Sequence, residues 1–292
     1  MTSLHSNTLS HWSTDDLLCW LLRGLAAVAG TIVILIVTFL IVEALPVLHR
    51  IGLLRFFTDP SWHPAEGFYN LTPMLWGTLF AMAGSVLIAT PLGILSAVFC
   101  HYYAPLALAQ PYRRLIELLA GIPSVVYGFW GLVVLVPLIG EMHPPGPSLL
   151  AGILILTIMI LPTIALMADA SLANVPQHYI RGAAALGLSQ WATIRGVVFP
   201  AAKSGLFTGV ILETGRAIGE TMAILMVCGN VVQAPSSIFD PIRTLTANIA
   251  LEMAYALDDH RAALFVSGLV LMAMIVALTI AAEWVSRGRI YG

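Results

Sequence analysis

One stretch limits the folds open to this chain more than any other: 204–229, SGLFTGVILETGRAIGETMAILMVCG. A bilayer crossing needs about 20 predominantly apolar residues, and this stretch qualifies, yet it carries Glu213, Arg216 and Glu220 near its middle. If it forms one helix, residues three and four apart share a face, and the three side chains make a single acidic–basic–acidic stripe. A charge facing lipid at the bilayer centre costs roughly 2.5–3.5 kcal/mol on insertion scales. The stripe is therefore expected to face protein or water inside a bundle.

The rest of the chain supplies the bundle. Uncharged apolar runs occur at 24–42, 73–99, 118–140, 148–168 and 262–282. Together with the charged stretch they predict six transmembrane helices, bounded near 24–45, 73–99, 115–140, 148–168, 204–229 and 262–282. Composition agrees, with 59% hydrophobic and 10% charged residues, where a soluble domain has about 25% charged. The expected fold class is an all-α integral membrane protein, with an N-terminal segment 1–23, a membrane domain 24–284 and a tail 285–292. The early residues are polar and include Asp15 and Asp16, so the first apolar run is expected to stay as an anchor rather than serve as a cleaved leader.

An even number of spans puts both termini on one side. Arg23, Arg113, Arg114, Arg181, Arg195, Lys203, Arg287 and Arg289 fall at the termini and in the even-numbered loops, against Arg50, Arg55, Arg243 and Arg261 on the other side. Cytoplasmic loops carry the excess of Lys and Arg, so both termini are expected in the cytoplasm. The net charge of −2 says nothing about nucleic acid, and no basic run or aromatic-basic patch suggests it. Cys19, Cys100 and Cys228 are scattered, with neither a disulfide framework nor zinc-ligand spacing, and read as buried free thiols.

Prolines interrupt several spans, at Pro91, Pro123, Pro137 and Pro162. Each removes a backbone donor and tends to kink its helix, as happens where irregular backbone lines a cavity. Ser124, after the Gly121-Ile122-Pro123 bend, is a candidate lining residue. The outer loop 46–72 holds Phe56, Phe57, Trp62, Phe68 and Tyr69, readable as interfacial anchors or as a docking surface. In the second outer loop, Leu245, Ile249, Met253 and Ala256 recur at helical spacing opposite Asn248, which predicts a short amphipathic helix on the outer face with Glu252 as a surface acid.

The loop 170–203 is long for a helix connection. Pro176 opens a helix whose Tyr179, Ala183 and Leu186 share a face, and Gly187 ends it in a left-handed cap. Ser189 is the N-cap of a second short helix with Trp191, Ile194 and Val198, ending before Pro200. The two helices form a knob suited to a partner's socket.

Two sets of residues carry a family resemblance. Arg181-Gly182-Ala183-Ala184-Ala185-Leu186-Gly187, followed by Val197-Val198-Phe199-Pro200, resembles the cytoplasmic EAA loop of bacterial ABC importer permeases, with Arg181 where the family has Glu. The runs from Leu118 to Gly128, from Gly215 to Ala223 with Gly229-Asn230, and from Thr244 to Ala250 resemble the PstC-type permease subunit of the phosphate importer. The resemblance implies the type I ABC importer permease fold in the bacterial inner membrane. It implies a PstA-type permease subunit as heterodimer partner, two ATPase subunits that bind ATP and Mg, and an extracytoplasmic phosphate-binding protein. It also implies contact of Arg181, Ala183, Leu186, Gly187 and Ser189 with the ATPase.

The expected substrate is inorganic phosphate, met along a path holding Arg216, Glu220, Glu213, Ser124 and Asn230. A guanidinium matches phosphate oxygens with paired donors, and a carboxylate partner keeps it from being buried alone when the path is empty. Glu213 is assigned from spacing alone; either acid or both could pair with Arg216. The alternative reading of the trio is a packing network. The only lysine, Lys203, lacks the spaced glycines of an ATP-binding loop, so no cofactor is expected in this chain. A permease for molybdate or sulfate is the nearest alternative function. An intramembrane enzyme is the remote one, because His101, His143, His178 and His260 fall in loops on different sides and form no metal cluster or Ser–His pair.

Overall fold

The computed structural model describes residues 14–287. Most of the terminal segments assigned to the cytoplasm, with Arg289, lies outside the described residues. Among those described, six helices are long and apolar enough to cross a membrane. The first span is Thr14–Ile51 and the second is Thr72–Val98, prolonged by a π-helical turn over Phe99–Tyr103. The third is built from Ser124–Trp130, Gly131–Leu135 and Val136–Met142, and the fourth is Leu149–Ala173. The fifth comprises Gln190–Thr193, Ile194–Val198 and Phe199–Gly219, and the sixth is Asp258–Arg287.

The fourth span is the spine. It lies along the second over most of its length and also meets the third and fifth, while the first packs on the sixth. Ser148 caps it by accepting from the Ala151 amide, and the next two amides donate to Asp240 and Ile238 carbonyls. The orphan donors of a helix start are thereby satisfied inside protein. Small residues let the neighbours close in: a Cβ on Gly84 or Gly93 would fall within 2.8 Å of the Ile153 or Ile164 side chain.

Two spans run on through prolines because the preceding turn is widened. A proline ring clashes with the carbonyl four residues back. The π-helical turns Gly131–Leu135 and Ile194–Val198 stand just before Pro137 and Pro200 and shift that carbonyl by one residue. This alters the expected knob. Ser189 does cap a helix, accepting from the Ala192 amide, but that helix continues through Pro200 into the fifth span. Arg195 and Lys203 therefore belong to the fifth span and not to a loop.

The third span also differs from 115–140. Leu106–Ala120 is a separate amphipathic helix, and the chain breaks over residues 121–123 before the span starts at Ser124. Ala109 and Ile116 are buried while Leu115 and Leu118 are exposed, a pattern suited to the bilayer surface. Arg113, too polar for a span interior, bonds Asp169 of the fourth span at 2.9 Å. Tyr127 ties the pieces together, its hydroxyl donating to the Leu119 carbonyl, which also accepts from the Ile122 amide at the break.

At the opposite end of the bundle, residues 52–71 form a small folded unit. Trp62–His63 pairs antiparallel with Phe68–Tyr69. Phe56, Trp62 and Tyr69 are buried against the first and sixth spans, so these three aromatics are core residues and not anchors at a lipid interface. Cys100 and Cys228 are buried as expected, but Cys19 is exposed.

Candidate functional site

The fifth span breaks where its sequence is most charged. Phe199–Gly219 ends at Glu220, whose ψ of 126° is extended, and a new helix runs over Met222–Val227. Thr246, on the helix Leu245–Glu252, reaches in to bond the Glu220 carbonyl at 2.9 Å, and Thr78 of the second span accepts from the Leu245 amide. The break is thus held from outside by neighbouring elements.

This geometry corrects the single stripe expected from spacing. Glu213 and Arg216 share a helix face, with Arg216 Nη1 3.7 Å from Glu213 Oε2. Glu220 has left the helix, and its carboxylate accepts from the Ala223 amide at 3.1 Å, capping the short helix that follows. Among the described residues it makes no ion pair with Arg216. Spacing placed Glu220 over Arg216 only on the premise of an unbroken helix.

Arg216 sits in the last turn before the break, where the open carbonyls of a helix C-terminus favour a cation. Its Nη1 donates to Thr163 Oγ1 of the fourth span at 3.3 Å. Thr163 was not singled out from the sequence; the available signal was a hydroxyl beside Pro162 in an otherwise apolar run. The Arg216 side chain remains 38% exposed, while the Glu213 side chain is 7% exposed and its Oε2 has no hydrogen-bond partner. A partly open cation thus stands beside a buried acid.

Ser124 is the first residue of the third span, half-buried. Asn230 adopts a left-handed conformation (φ 56°), tolerated by Asn, and its amide donates to the Leu225 carbonyl at 2.7 Å. It thereby closes the short helix before it. No hydrogen bond or ion pair joins Ser124 or Asn230 to Arg216 among the described residues.

A second charged centre, at the end where helix Leu245–Glu252 lies, was missed from the sequence. Glu252 is buried rather than a surface acid. It accepts from Arg243 Nη1 at 2.6 Å and from Trp62 Nε1 at 2.9 Å, with His260 Nε2 2.8 Å away. Arg243 also bonds the Asn230 carbonyl and Asn248 Oδ1. Asn248 is fully buried, so the face assigned to solvent points inward. Four chain segments meet on this one carboxylate and its arginine.

At the other end of the bundle, Gln177–Ala185 is the helix opened by Pro176. Gly187 turns the chain at φ +74°, a conformation that favours glycine. Ala183 is buried against the body, whereas Tyr179, Leu186, Leu188 and Trp191 are exposed and Leu186 is 82% so. Arg181 is exposed on the same helix.

Six apolar spans, a charged break in the fifth and a helix with exposed apolar residues at one end define a multi-pass membrane protein with the parts of a permease. The chain belongs to the binding-protein-dependent transport system inner membrane component family, whose model matches residues 89–291. It is 40% identical over 264 residues to the probable ABC transporter permease protein YqgH of Bacillus subtilis, covering 88% of this chain and 84% of that protein. It is 37% identical over 242 residues to the phosphate transport system permease protein PstC of Mesorhizobium japonicum, covering 76% and 73%. In fold it resembles the methionine ABC transporter MetNI in an inward-facing conformation, with a TM-score of 0.60 at 19% identity over 75% of this chain and 95% of that one. A bacterial ABC transporter that imports the acidic polysaccharide alginate aligns over 93% and 99%, with a TM-score of 0.59 at 14% identity. The type I importer permease fold expected from the sequence is the fold found.

Proposed function

We propose that this chain is the permease subunit of an ATP-driven importer that moves inorganic phosphate across the bacterial inner membrane. The observation that carries the reading is Arg216, held by Thr163 of the fourth span and beside the buried Glu213 at the broken end of the fifth helix, with its side chain still 38% exposed. Phosphate crossing a low-dielectric layer needs a fixed counter-charge with several donors, which a guanidinium provides. The names borne by its relatives support the same substrate.

The pump would be completed by a PstA-type permease subunit, two ATPase subunits that bind ATP and Mg, and an extracytoplasmic phosphate-binding protein. The exposed apolar residues around Gly187 form a knob suited to a groove on the ATPase, which supports a cytoplasmic position for both termini. Closure of the ATPases would press on this knob. Because Gln190 begins the fifth span only three residues beyond Gly187, the push would pass straight along the helix that bears Arg216. Rigid helices with two discrete arrangements carry such motions.

The test is uptake of labelled phosphate by the reconstituted complex, with sulfate and molybdate as competitors. Replacing Arg216 with Gln should abolish uptake while assembly and ATP hydrolysis persist. A complex that falls apart instead would assign the trio to packing, and competition by sulfate equal to that by phosphate would reassign the substrate.

A further inference from the structure

Each polar group at Arg216 has bonding capacity left unspent, and the pattern of that capacity describes a ligand. Arg216 has five N–H donors and, among the described residues, places one hydrogen bond, to Thr163. Thr163 Oγ1 accepts that bond, and no acceptor is assigned to its own hydrogen. Glu213 Oε2 is fully buried without a donor, and at 3.7 Å from Arg216 Nη1 it is too far for a hydrogen bond, which needs roughly 2.7–3.2 Å. A buried acceptor without a donor carries its whole desolvation cost. Open donors on Arg216 therefore stand beside one buried, donor-less acceptor, which an anion held by Arg216 reaches once the Glu213 side chain turns toward it.

We infer that Glu213 reads the proton on the transported anion, so that the site takes a tetrahedral oxyanion bearing an O–H group and disfavours one without it. This rests on the proposed phosphate path through Arg216 and names a specificity-determining residue within it. Phosphate near neutral pH keeps one or two hydroxyl hydrogens. Its unprotonated oxygens accept from Arg216 and the Thr163 hydroxyl, and its O–H donates to Glu213 Oε2. Sulfate has four acceptor oxygens and no hydrogen. At the same site it would satisfy the arginine but set an oxygen against the Glu213 carboxylate, which stays without a donor. No proton is transferred; the carboxylate only accepts a hydrogen bond. The same contact gives Glu213 a partner while the anion is bound and releases Arg216 from holding it alone.

The preference is measured without relying on the binding protein's own selection, by loading the lumen. Proteoliposomes of the complete complex, oriented with the ATPases inside, are filled with ATP and either inorganic phosphate or sulfate. Inward uptake of labelled phosphate is then followed with the binding protein outside. Luminal anion enters the inward-open site and slows turnover, so the ratio of half-inhibiting concentrations reports the site. Sites built around a substrate hydroxyl reject its analogue by about ten-thousandfold to a hundred-thousandfold when closed, and this half-open one should prefer phosphate over sulfate by about tenfold or more. In Glu213→Gln, whose amide also donates, the ratio should fall to about twofold or less. Glu213→Asp keeps the charge and acceptor on a stem one methylene shorter, and should keep the preference with a weaker grip on phosphate. A ratio unchanged in Glu213→Gln overturns the inference, as does a wild type inhibited equally by both anions or by neither. If Glu213→Gln does not turn over, a Glu213→Asp complex with wild-type half-inhibition by phosphate overturns it. Arg216→Gln separates the two claims: normal uptake in that variant removes the phosphate path itself, whereas lost uptake with an unchanged Glu213→Gln ratio removes only the role of Glu213.

Discussion

Replacing Glu252 with Gln should destabilise the chain more than any other single change to a polar residue at that end of the bundle. Its carboxylate takes bonds of 2.6 Å from Arg243 and 2.9 Å from Trp62, with His260 at 2.8 Å. Removing one partner of a buried ion pair costs about 3–5 kcal/mol. Arg243 keeps its bonds to the Asn230 carbonyl and Asn248 Oδ1, and the new amide oxygen still accepts one donor, so the expected loss is lower, at about 2–3 kcal/mol. For a chain of this size each kcal/mol moves the midpoint by about 2–4 °C, giving a drop of roughly 4–12 °C. A thiol-reactive dye reads it in a Cys19→Ser background with cysteine-free partner subunits, because Cys100 and Cys228 are buried and react only on unfolding, whereas Cys19 is exposed. Trp62→Phe removes one donor and should lower the midpoint by only a few degrees. A shift within about 1 °C for Glu252→Gln would mean that the carboxylate is solvated and the four segments are held by packing alone.

Gly187→Ala should leave the fold intact, since a Cβ there meets nothing within 4 Å, but the φ of +74° costs about 1–2 kcal/mol for alanine; ATP hydrolysis measured with and without binding protein should show weakened coupling at normal expression. Gly128→Ala should cost about 1–3 kcal/mol, because its Cβ would lie 2.7 Å from Ala223 Cα, a backbone atom that cannot swing aside. Gly182→Ala is its control: the site is open and helical, so the midpoint should stay or rise. Asp59 fixes the pH response of the small unit over 52–71. Burial pushes its carboxyl up, but bonds from Arg55 and the Tyr69 amide, with the Arg55 charge, hold it below the usual 3.8. A depressed carboxyl stabilises above its unfolded value and loses that contribution as pH falls through the folded one. Midpoints of wild type and Asp59→Asn should therefore differ near neutrality and converge below about pH 3.8.

The membrane architecture was legible from local runs of residues. Apolar length placed six spans, Pro176 and Gly187 bounded the projecting helix, and Ser189 capped a helix as its neighbours implied. These features depend on residues within a few positions of each other, and the cost of exposing backbone to lipid leaves little choice. Three-residue spacing likewise put Glu213 beside Arg216.

What spacing could not supply is where a helix stops for reasons outside itself. Glu220 leaves the helix because Thr246 holds its carbonyl and the following segment packs against the third span. The contacts of Thr163 with Arg216, and of Trp62 and His260 with Glu252, join residues 53, 190 and 8 positions apart. Sequence thus determined which segments enter the membrane and which charges they carry. Only tertiary packing decided which of those charges meet, because an ionised group in a dry interior takes whatever partner the neighbouring helices bring within hydrogen-bond reach, whatever its distance along the chain.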